Sequence, residues 1–230
     1  MGHEIEKILI ERGHTITDII DADNTENLAS RLANCDVAIE FTTPSSAYDN
    51  VAACLNAGVP VVCGTTGWNP RRADAENLCR KLNGTFMWAS NFSIGVNILF
   101  HINKIMARLM NNFPEYDVAI SETHHTRKLD SPSGTAVTLA ETIISELDRK
   151  SEWINSAATD DGQKIGIESF REGDVAGIHE IVYDSPADSL SLRHAAKGRR
   201  GFALGAVIAA EFVASRKGVF SFDDIFRTLI

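Results

Sequence analysis

Two adjacent histidines, a lysine and a Pro-Ser-Gly-Thr segment lie together in Glu122-Thr-His-His-Thr-Arg-Lys-Leu-Asp-Ser-Pro-Ser-Gly-Thr-Ala136. His124 and His125 can each give or take a proton near neutral pH. Adjacent residues of an extended chain point to opposite sides, so the two rings are expected to have different tasks. Lys128 adds a full positive charge. Pro132 suits the first turn of a helix, where its missing N–H would be without a partner anyway. The amides of Ser133, Gly134 and Thr135 are then expected to be free at the positive end of that helix. They would suit a carboxylate or phosphate, which Gly134 lets approach closely. The combination fits a small substrate with more than one carboxylate, together with a proton transfer. Two plainer readings stand beside it. Glu122, His124 and His125 could ligate a metal, although ligating pairs usually lie three or four residues apart on a helix. The Ser-Gly-Thr could also be ordinary capping chemistry in a structural loop.

The elements around this loop decide what it can do. Tyr116 to Ser121 alternates toward apolar and predicts a strand. Val137, Leu139, Ala140, Ile143, Ile144 and Leu147 recur at helical spacing and predict a helix over 136–149. The loop is thus a strand-to-helix connection, a usual place for function on an α/β scaffold.

Earlier in the chain, Ile5, Ile8 and Leu9 predict a helix from Gly2 to the stop at Gly13. Thr15 to Asp21 is expected as a strand ending in an acid, and Asn27 to Ala33 as a short helix. Asp36–Phe41, Val59–Cys63 and Thr85–Ala89 predict strands. Between them lie a helix opened by Thr43-Pro44 and closed by Gly58, and another over Ala73–Leu82. Strict alternation with short connections implies a doubly wound parallel sheet, which binds ligands at the carboxyl ends of its strands. Three such ends carry small and hydroxylated residues: Phe41-Thr-Thr-Pro44, Gly64-Thr-Thr-Gly-Trp68 and Ala89-Ser-Asn-Phe92. Together they suit a flat cofactor lying across the sheet edge. Taken singly, Gly64 and Gly67 would read as plain turn residues.

After a helix over Ile94–Asn111 the strands come in series: Tyr116–Ser121, Lys164–Phe170, Ile178–Tyr183 and Leu190–His194. One main helix interrupts them, which predicts a mixed sheet with helices on one side, a second α+β domain. Ser156–Gln163 reads as an exposed loop and Arg171–Asp174 as a turn. Helices over Phe202–Ala214 and Phe222–Leu229 are expected to return to the first domain.

Bulk properties remove several function classes. The chain has 230 residues, 44% of them hydrophobic, enough for one large or two modest cores. A net charge of −9 argues against a nucleic-acid partner. No apolar run reaches membrane-span length, and the first residues lack an apolar signal core. Cys35, Cys54, Cys63 and Cys79 show no paired spacing and read as reduced core thiols of a cytoplasmic protein.

Six segments, in order along nearly the whole chain, carry a resemblance. They are Gly64-Thr-Thr-Gly67, Asn91-Phe-Ser-Ile-Gly-Val-Asn97, Glu122-Thr-His-His-Thr-Arg-Lys128, Asp130-Ser-Pro-Ser-Gly-Thr-Ala136, Arg171-Glu-Gly-Asp-Val-Ala-Gly-Ile-His179 and Phe202-Ala-Leu-Gly-Ala206. With them the chain resembles the 4-hydroxy-tetrahydrodipicolinate (dihydrodipicolinate) reductase family of lysine and diaminopimelate biosynthesis.

The resemblance implies a Rossmann-like domain over 1–92 and 204–230, and a substrate-binding and oligomerisation domain over 93–203. It implies hydride transfer from a reduced nicotinamide, NADH or NADPH, to a cyclic dicarboxylate. By the same resemblance His124 is the acid/base residue and Lys128 the proton donor. His125, Gly134 and Thr135 hold the substrate carboxylates. Gly64, Thr65, Thr66, Ala89, Ser90, Asn91 and Phe92 touch the cofactor, no metal is needed, and the assembly is a homotetramer joined through the second-domain sheets. Asp21, placed at a strand end, would bond the adenosine ribose hydroxyls, and Ala22 and Asp23 offer no cation for a 2′-phosphate, so NADH is expected to be preferred. Asp21 could instead cap the turn at Thr25. The family pattern opens with a strand and a glycine-rich turn, of which Met1-Gly2 resembles only the end. A gap or unpaired edge beside Thr15–Asp21 is therefore expected. The alternative follows that the chain keeps a dicarboxylate-binding, oligomerising domain but binds cofactor poorly and is inactive.

Overall fold

The computed structural model of the chain describes residues 1–24, 26–157 and 161–228. They form two compact units, residues 1–94 with the segment from Arg199 onward, and Gly95–Gly198.

In the first unit short apolar runs build a parallel sheet. β1 (Ala38–Glu40), β2 (Val61–Cys63), β3 (Thr85–Trp88) and β9 (Gly218–Phe220) lie in that spatial order, all pairs parallel. Both faces are covered, so β2 is apolar throughout and wholly buried. Val62 and Met87 point to one side, against α1 (Gly2–Glu11), α7 (Arg200–Val213) and α8 (Phe222–Phe226). Val61, Cys63 and Phe86 point to the other, against α2 (Leu28–Leu32), α3 (Ala47–Asn56) and α4 (Arg72–Lys81). Ile5 and Ile8 give α1 its buried stripe, and Leu9 packs beside them. Arg12 makes a paired contact with Glu211 of α7 at 2.7 and 2.8 Å, and Arg200 bonds back to Glu11.

Two expectations about this unit are corrected. Thr15–Asp21 is not a strand: it is irregular up to a 3-10 turn at Ala22–Asn24, with Ile19 and Ile20 exposed. Alternation alone does not make a strand without a ladder partner, and among the described residues the sheet ends at β1. Arg31 also bonds the Asp18 carboxylate and the carbonyls of Ile19 and Asn24, which fixes the segment by side chain. β9 was not expected; three half-buried residues leave too short a pattern to read. Leu229, the expected end of the last helix, lies outside the described residues, as does part of the Ser156–Gln163 loop.

The second unit is a mixed sheet in the order β5 (Glu152–Ile154), β6 (Lys164–Arg171), β4 (Asp117–His124), β7 (Ile178–Asp184), β8 (Ser189–Ala195). β4 runs parallel to β6 and antiparallel to β7, which pairs antiparallel with β8. One face carries α5 (Ile94–Met110) and α6 (Gly134–Glu146). Val118, Ile120, Ile165, Ile167, Ile181 and Tyr183 meet Leu139, Ala140 and Ile143 there, all buried. Each Val, Leu or Ile side chain among them stabilises by about 1.5–3 kcal/mol relative to exposure. No helix among the described residues is long and apolar enough to cross a membrane.

Gly205 in α7 is a steric requirement of the first unit. A Cβ built there would stand 1.7 Å from the Phe92 carbonyl oxygen. Since backbone is the obstacle, a side-chain rotation cannot relieve it. Gly205→Ala is expected to lower unfolding free energy by about 3 kcal/mol, the upper end of overpacking costs. Urea unfolding measures this; unchanged stability would contradict the packing of α7 on Phe92.

Candidate active site

The period of a strand puts Val118, Ile120, Glu122 and His124 of β4 on one buried face. The first two feed the apolar core. The last two carry the same face into polar chemistry. Register then brings the neighbours alongside: Glu122 opposite Ser169 on β6 and His179 on β7, His124 opposite Arg171, and His179 opposite His194. The start of α6 closes this end of the face.

Glu122 is the centre of the cluster. Its side chain is wholly buried. Oε1 accepts the Ser133 N–H at 3.0 Å and faces the two terminal nitrogens of the Arg171 guanidinium at 3.3 and 3.4 Å. Oε2 faces His124 Nδ1 at 3.3 Å and His179 Nε2 at 3.7 Å. Burial alone would raise its pKa, but contacts from His124, Ser133 and Ser169 outweigh that and hold it well below the usual carboxylate range. His179 goes the other way: burial first, then the neighbouring His124, press its pKa down to about 4, so it is neutral at pH 7. The two rings pack edge to face at 5.0 Å between centroids. Arg171 also donates to the Asp130 carbonyl at 2.6 Å, tying the loop to the cluster.

Glu122, His124 and His179 could offer ligand atoms within 4.8 Å of one another. His125, named with the first two in the sequence reading of a metal site, is not in that group. Arg171 already sets a fixed positive charge against the same carboxylate, which opposes a second cation there.

Each predicted residue of the loop has a definite place. His124 is buried and His125, beyond the end of β4, is half-buried. Lys128 pairs with Asp130 at 2.9 Å, and its N–H bonds the His125 carbonyl at 3.1 Å, closing a turn. Burial resists but the Lys128 ammonium lowers the Asp130 pKa. The anion-site expectation needs correction at two residues. Pro132 is not in the first helical turn: it follows a cis peptide bond and precedes Ser133, the N-cap of α6. The Ser133 amide is not free either, since Glu122 takes it. The Ser133 hydroxyl accepts from Ala136 N–H at 3.2 Å. Gly134 and Thr135 keep amides with no described partner, and nothing lies within 4 Å of where a Gly134 Cβ would stand. Arg171 and His179 carry no signal in spacing, although both lie in the segment Arg171–His179 that bears the family resemblance; what they touch depends on strand pairing.

The strand-end loops of the first unit rest on a second buried carboxylate. Glu40, at the end of β1, accepts from the Thr65 hydroxyl at 3.1 Å, the Cys63 thiol at 2.8 Å and the Thr42 hydroxyl. Burial, then the charge of Glu40, keeps the Cys63 thiol protonated, so it serves as a donor. All four cysteines are free. The Thr65 hydroxyl accepts the Thr42 N–H at 2.8 Å, and the Thr65 carbonyl accepts both the Trp68 and Trp88 indole N–H groups, at 2.7 and 2.9 Å. Gly64 is more than a turn residue: a Cβ there would meet the Phe41 ring at 2.2 Å, whereas Gly67 has φ +81° and is a turn glycine. Phe41 packs on Phe92, 5.6 Å between centroids. Thr66 and Ser90 are exposed, and Asn91 Oδ1 accepts the Ser93 N–H. Ala89 N–H reaches the Cys63 carbonyl at 3.4 Å. Asp21 is exposed, follows no strand, and bonds the Ala22 N–H at 2.7 Å; Thr25 lies outside the described residues.

Residues 1–92 match the model described as dihydrodipicolinate reductase, N-terminus, and residues 95–226 the model described as dihydrodipicolinate reductase, C-terminus. A 4-hydroxy-tetrahydrodipicolinate reductase of Christiangramia forsetii is 42% identical over 229 residues, 100% of this chain and 95% of that protein. The enzyme of that name from Nitrosomonas europaea is 34% identical, over 87% of this chain and 76% of its own. Among solved structures, a dipicolinate-bound dihydrodipicolinate reductase from Paenisporosarcina sp. TG-14 has a TM-score of 0.77 at 25% identity, covering 96% of this chain and 92% of its own. An amine dehydrogenase from Mycobacterium smegmatis, 11% identical with a TM-score of 0.60, shares the fold over 96% of this chain and 91% of its own.

The neutral buried His179 makes stability depend on pH. Its ordinary pKa is 6.5 and its folded pKa about 4, so between those values the unfolded chain binds more protons. Stability is therefore full above pH 6.5 and falls as pH drops toward 4, by up to about 3 kcal/mol at 1.36 kcal/mol per unit. His179→Gln should flatten this slope, read from hydrogen exchange of β4 and β7 amides at several pH values. An equal slope in the variant would refute the assignment.

Proposed function

The chain belongs to the dihydrodipicolinate reductase family, whose members are NAD(P)H-dependent oxidoreductases, and on that premise we propose that it reduces 4-hydroxy-tetrahydrodipicolinate to tetrahydrodipicolinate. The step belongs to lysine and diaminopimelate biosynthesis. One observation carries the reading at the level of atoms: a single carboxylate, Glu122, touches both His124 and the backbone that starts α6. A proton-transfer residue and an anion-binding helix start are thereby held to one another.

In this reading the Gly134 and Thr135 amides, without a partner among the described residues, take one substrate carboxylate at the positive end of α6. His125 and Lys128 supply polar and cationic contacts around the second. Replacing the 4-hydroxyl by hydrogen takes up a hydride and a proton and releases water. The reduced nicotinamide, when bound, supplies the hydride. His124 acts as the acid/base group and Lys128 as proton donor, with Asp130 holding the ammonium in place. The strand-end loops of the first unit suit the cofactor: Thr66 and Ser90 offer exposed hydroxyls, while Gly64, Thr65, Ala89, Asn91 and Phe92 form the framework that presents them. We assign the protein to the cytoplasm and, by family likeness, to a homotetramer built through the open faces of the second-unit sheets.

His124→Ala or Lys128→Ala is expected to cut turnover about 10²- to 10⁴-fold with the fold retained. Steady-state kinetics with circular dichroism as control tests this; wild-type turnover in His124→Ala would remove its role. In a crystal soaked with pyridine-2,6-dicarboxylate, a carboxylate is expected on the Gly134 and Thr135 amides.

Asp21 is exposed, and the stretch Asp21–Asn24 holds no cation for a 2′-phosphate; Arg31, the nearest basic side chain, is committed to Asp18. NADH should therefore give the higher kcat/KM. Equal values for NADH and NADPH would exclude the preference.

A further inference from the structure

A proton-transfer imidazole works only if one nitrogen is free and the other is held. His124 Nδ1 is buried and makes no well-aligned hydrogen bond among the described residues. What faces it is Glu122 Oε2, 3.3 Å away, an oxygen that likewise has no other hydrogen bond. The carboxylate cannot swing aside, because Oε1 is fixed by the Ser133 N–H at 3.0 Å and by Arg171 at 3.3 and 3.4 Å. His179 is the rival for Oε2, but at 3.7 Å its Nε2 is farther off and has a nearer partner in the Ser133 hydroxyl at 3.2 Å.

The opposite edge of the ring is bordered by Gly177. Its φ is +148°, and a Cβ built there would lie 3.1 Å from His124 Nε2 and 3.3 Å from Cδ2. Any side chain at 177 would cover that nitrogen; glycine leaves it open.

From these contacts we infer that Glu122 is the positioning residue of the reaction. It accepts a hydrogen bond from Nδ1–H of His124, which fixes the tautomer and leaves Nε2, uncovered at Gly177, as the nitrogen that exchanges protons with substrate. The inference rests on the reading of His124 as the acid/base residue. It goes beyond it in naming the group that selects the working nitrogen. Because Glu122 also holds the Ser133 amide, one side chain sets both the proton and the start of the anion-binding helix.

The test is the tautomer itself. Protein labelled with ¹⁵N-histidine is studied by long-range ¹H–¹⁵N correlation at alkaline pH, with His124 assigned by the signal lost in His124→Asn. The wild-type ring is expected to carry its proton on Nδ1. In Glu122→Gln the side-chain amide can donate to Nδ1, so the proton should move to Nε2, and kcat should fall about 10- to 100-fold, as for lost orienting partners of functional histidines, with KM changing less. A wild-type proton on Nε2 would overturn the inference whether or not Glu122→Gln folds. A folded Glu122→Gln with wild-type kcat would overturn it as well. Absence of reductase turnover in the wild-type protein would instead remove the activity assignment, while the tautomer measurement would still decide what Glu122 does to His124.

Discussion

A carboxylate buried out of water costs several kcal/mol unless it is paired and its lone pairs are used. Glu122 meets that condition at Oε1, with a guanidinium and a backbone amide, while Oε2 faces two imidazoles; these groups come from three strands and the start of a helix. The dependence runs both ways. Shifting β4 by one residue against β6 or β7 would turn Glu122 to the other face and leave Arg171 and His179 without it. The apolar half of the same face, Val118 and Ile120 against Ile167, Ile181 and Tyr183, sets the register that the polar half requires. Packing and site are two ends of one strand.

The first unit solves a related problem with no cation beside the carboxylate among the described residues. Glu40 is buried at the end of β1 and is surrounded by donors from hydroxyls, a thiol and an amide. Hydrogen bonds alone hold the ends of β1 and β2 in a common arrangement. The two carboxylates therefore differ in kind. Glu122 works among groups that can exchange protons, whereas the Cys63 thiol beside Glu40 is kept protonated and inert.

Much of the scaffold could be read from pattern. The strand predicted over 178–183 runs to Asp184, that over 164–170 to Arg171, and the helix after the loop carries the expected buried stripe of Leu139, Ala140 and Ile143. Local periodicity failed where pairing decides. Thr15–Asp21 alternates but has no ladder, while β5 and β9 are ladders three residues long with no pattern to show. In the site, the chemistry-bearing types at 124, 125, 128, 134 and 135 stood out by spacing. The use of the Ser133 amide by Glu122, and the approach of Arg171 and His179, could not, because each joins segments brought together only by the sheet.

The Thr65 carbonyl accepts two indole N–H groups, from Trp68 and Trp88. Indole emission responds to the field at its ring nitrogen, so both chromophores read the orientation of one peptide group. That peptide sits in the Gly64–Gly67 segment that follows β2. The third tryptophan, Trp153, belongs to the other unit. The molecule thus carries a spectroscopic gauge of a single loop, with a separate chromophore as internal reference, and needs no attached dye to report when that loop shifts.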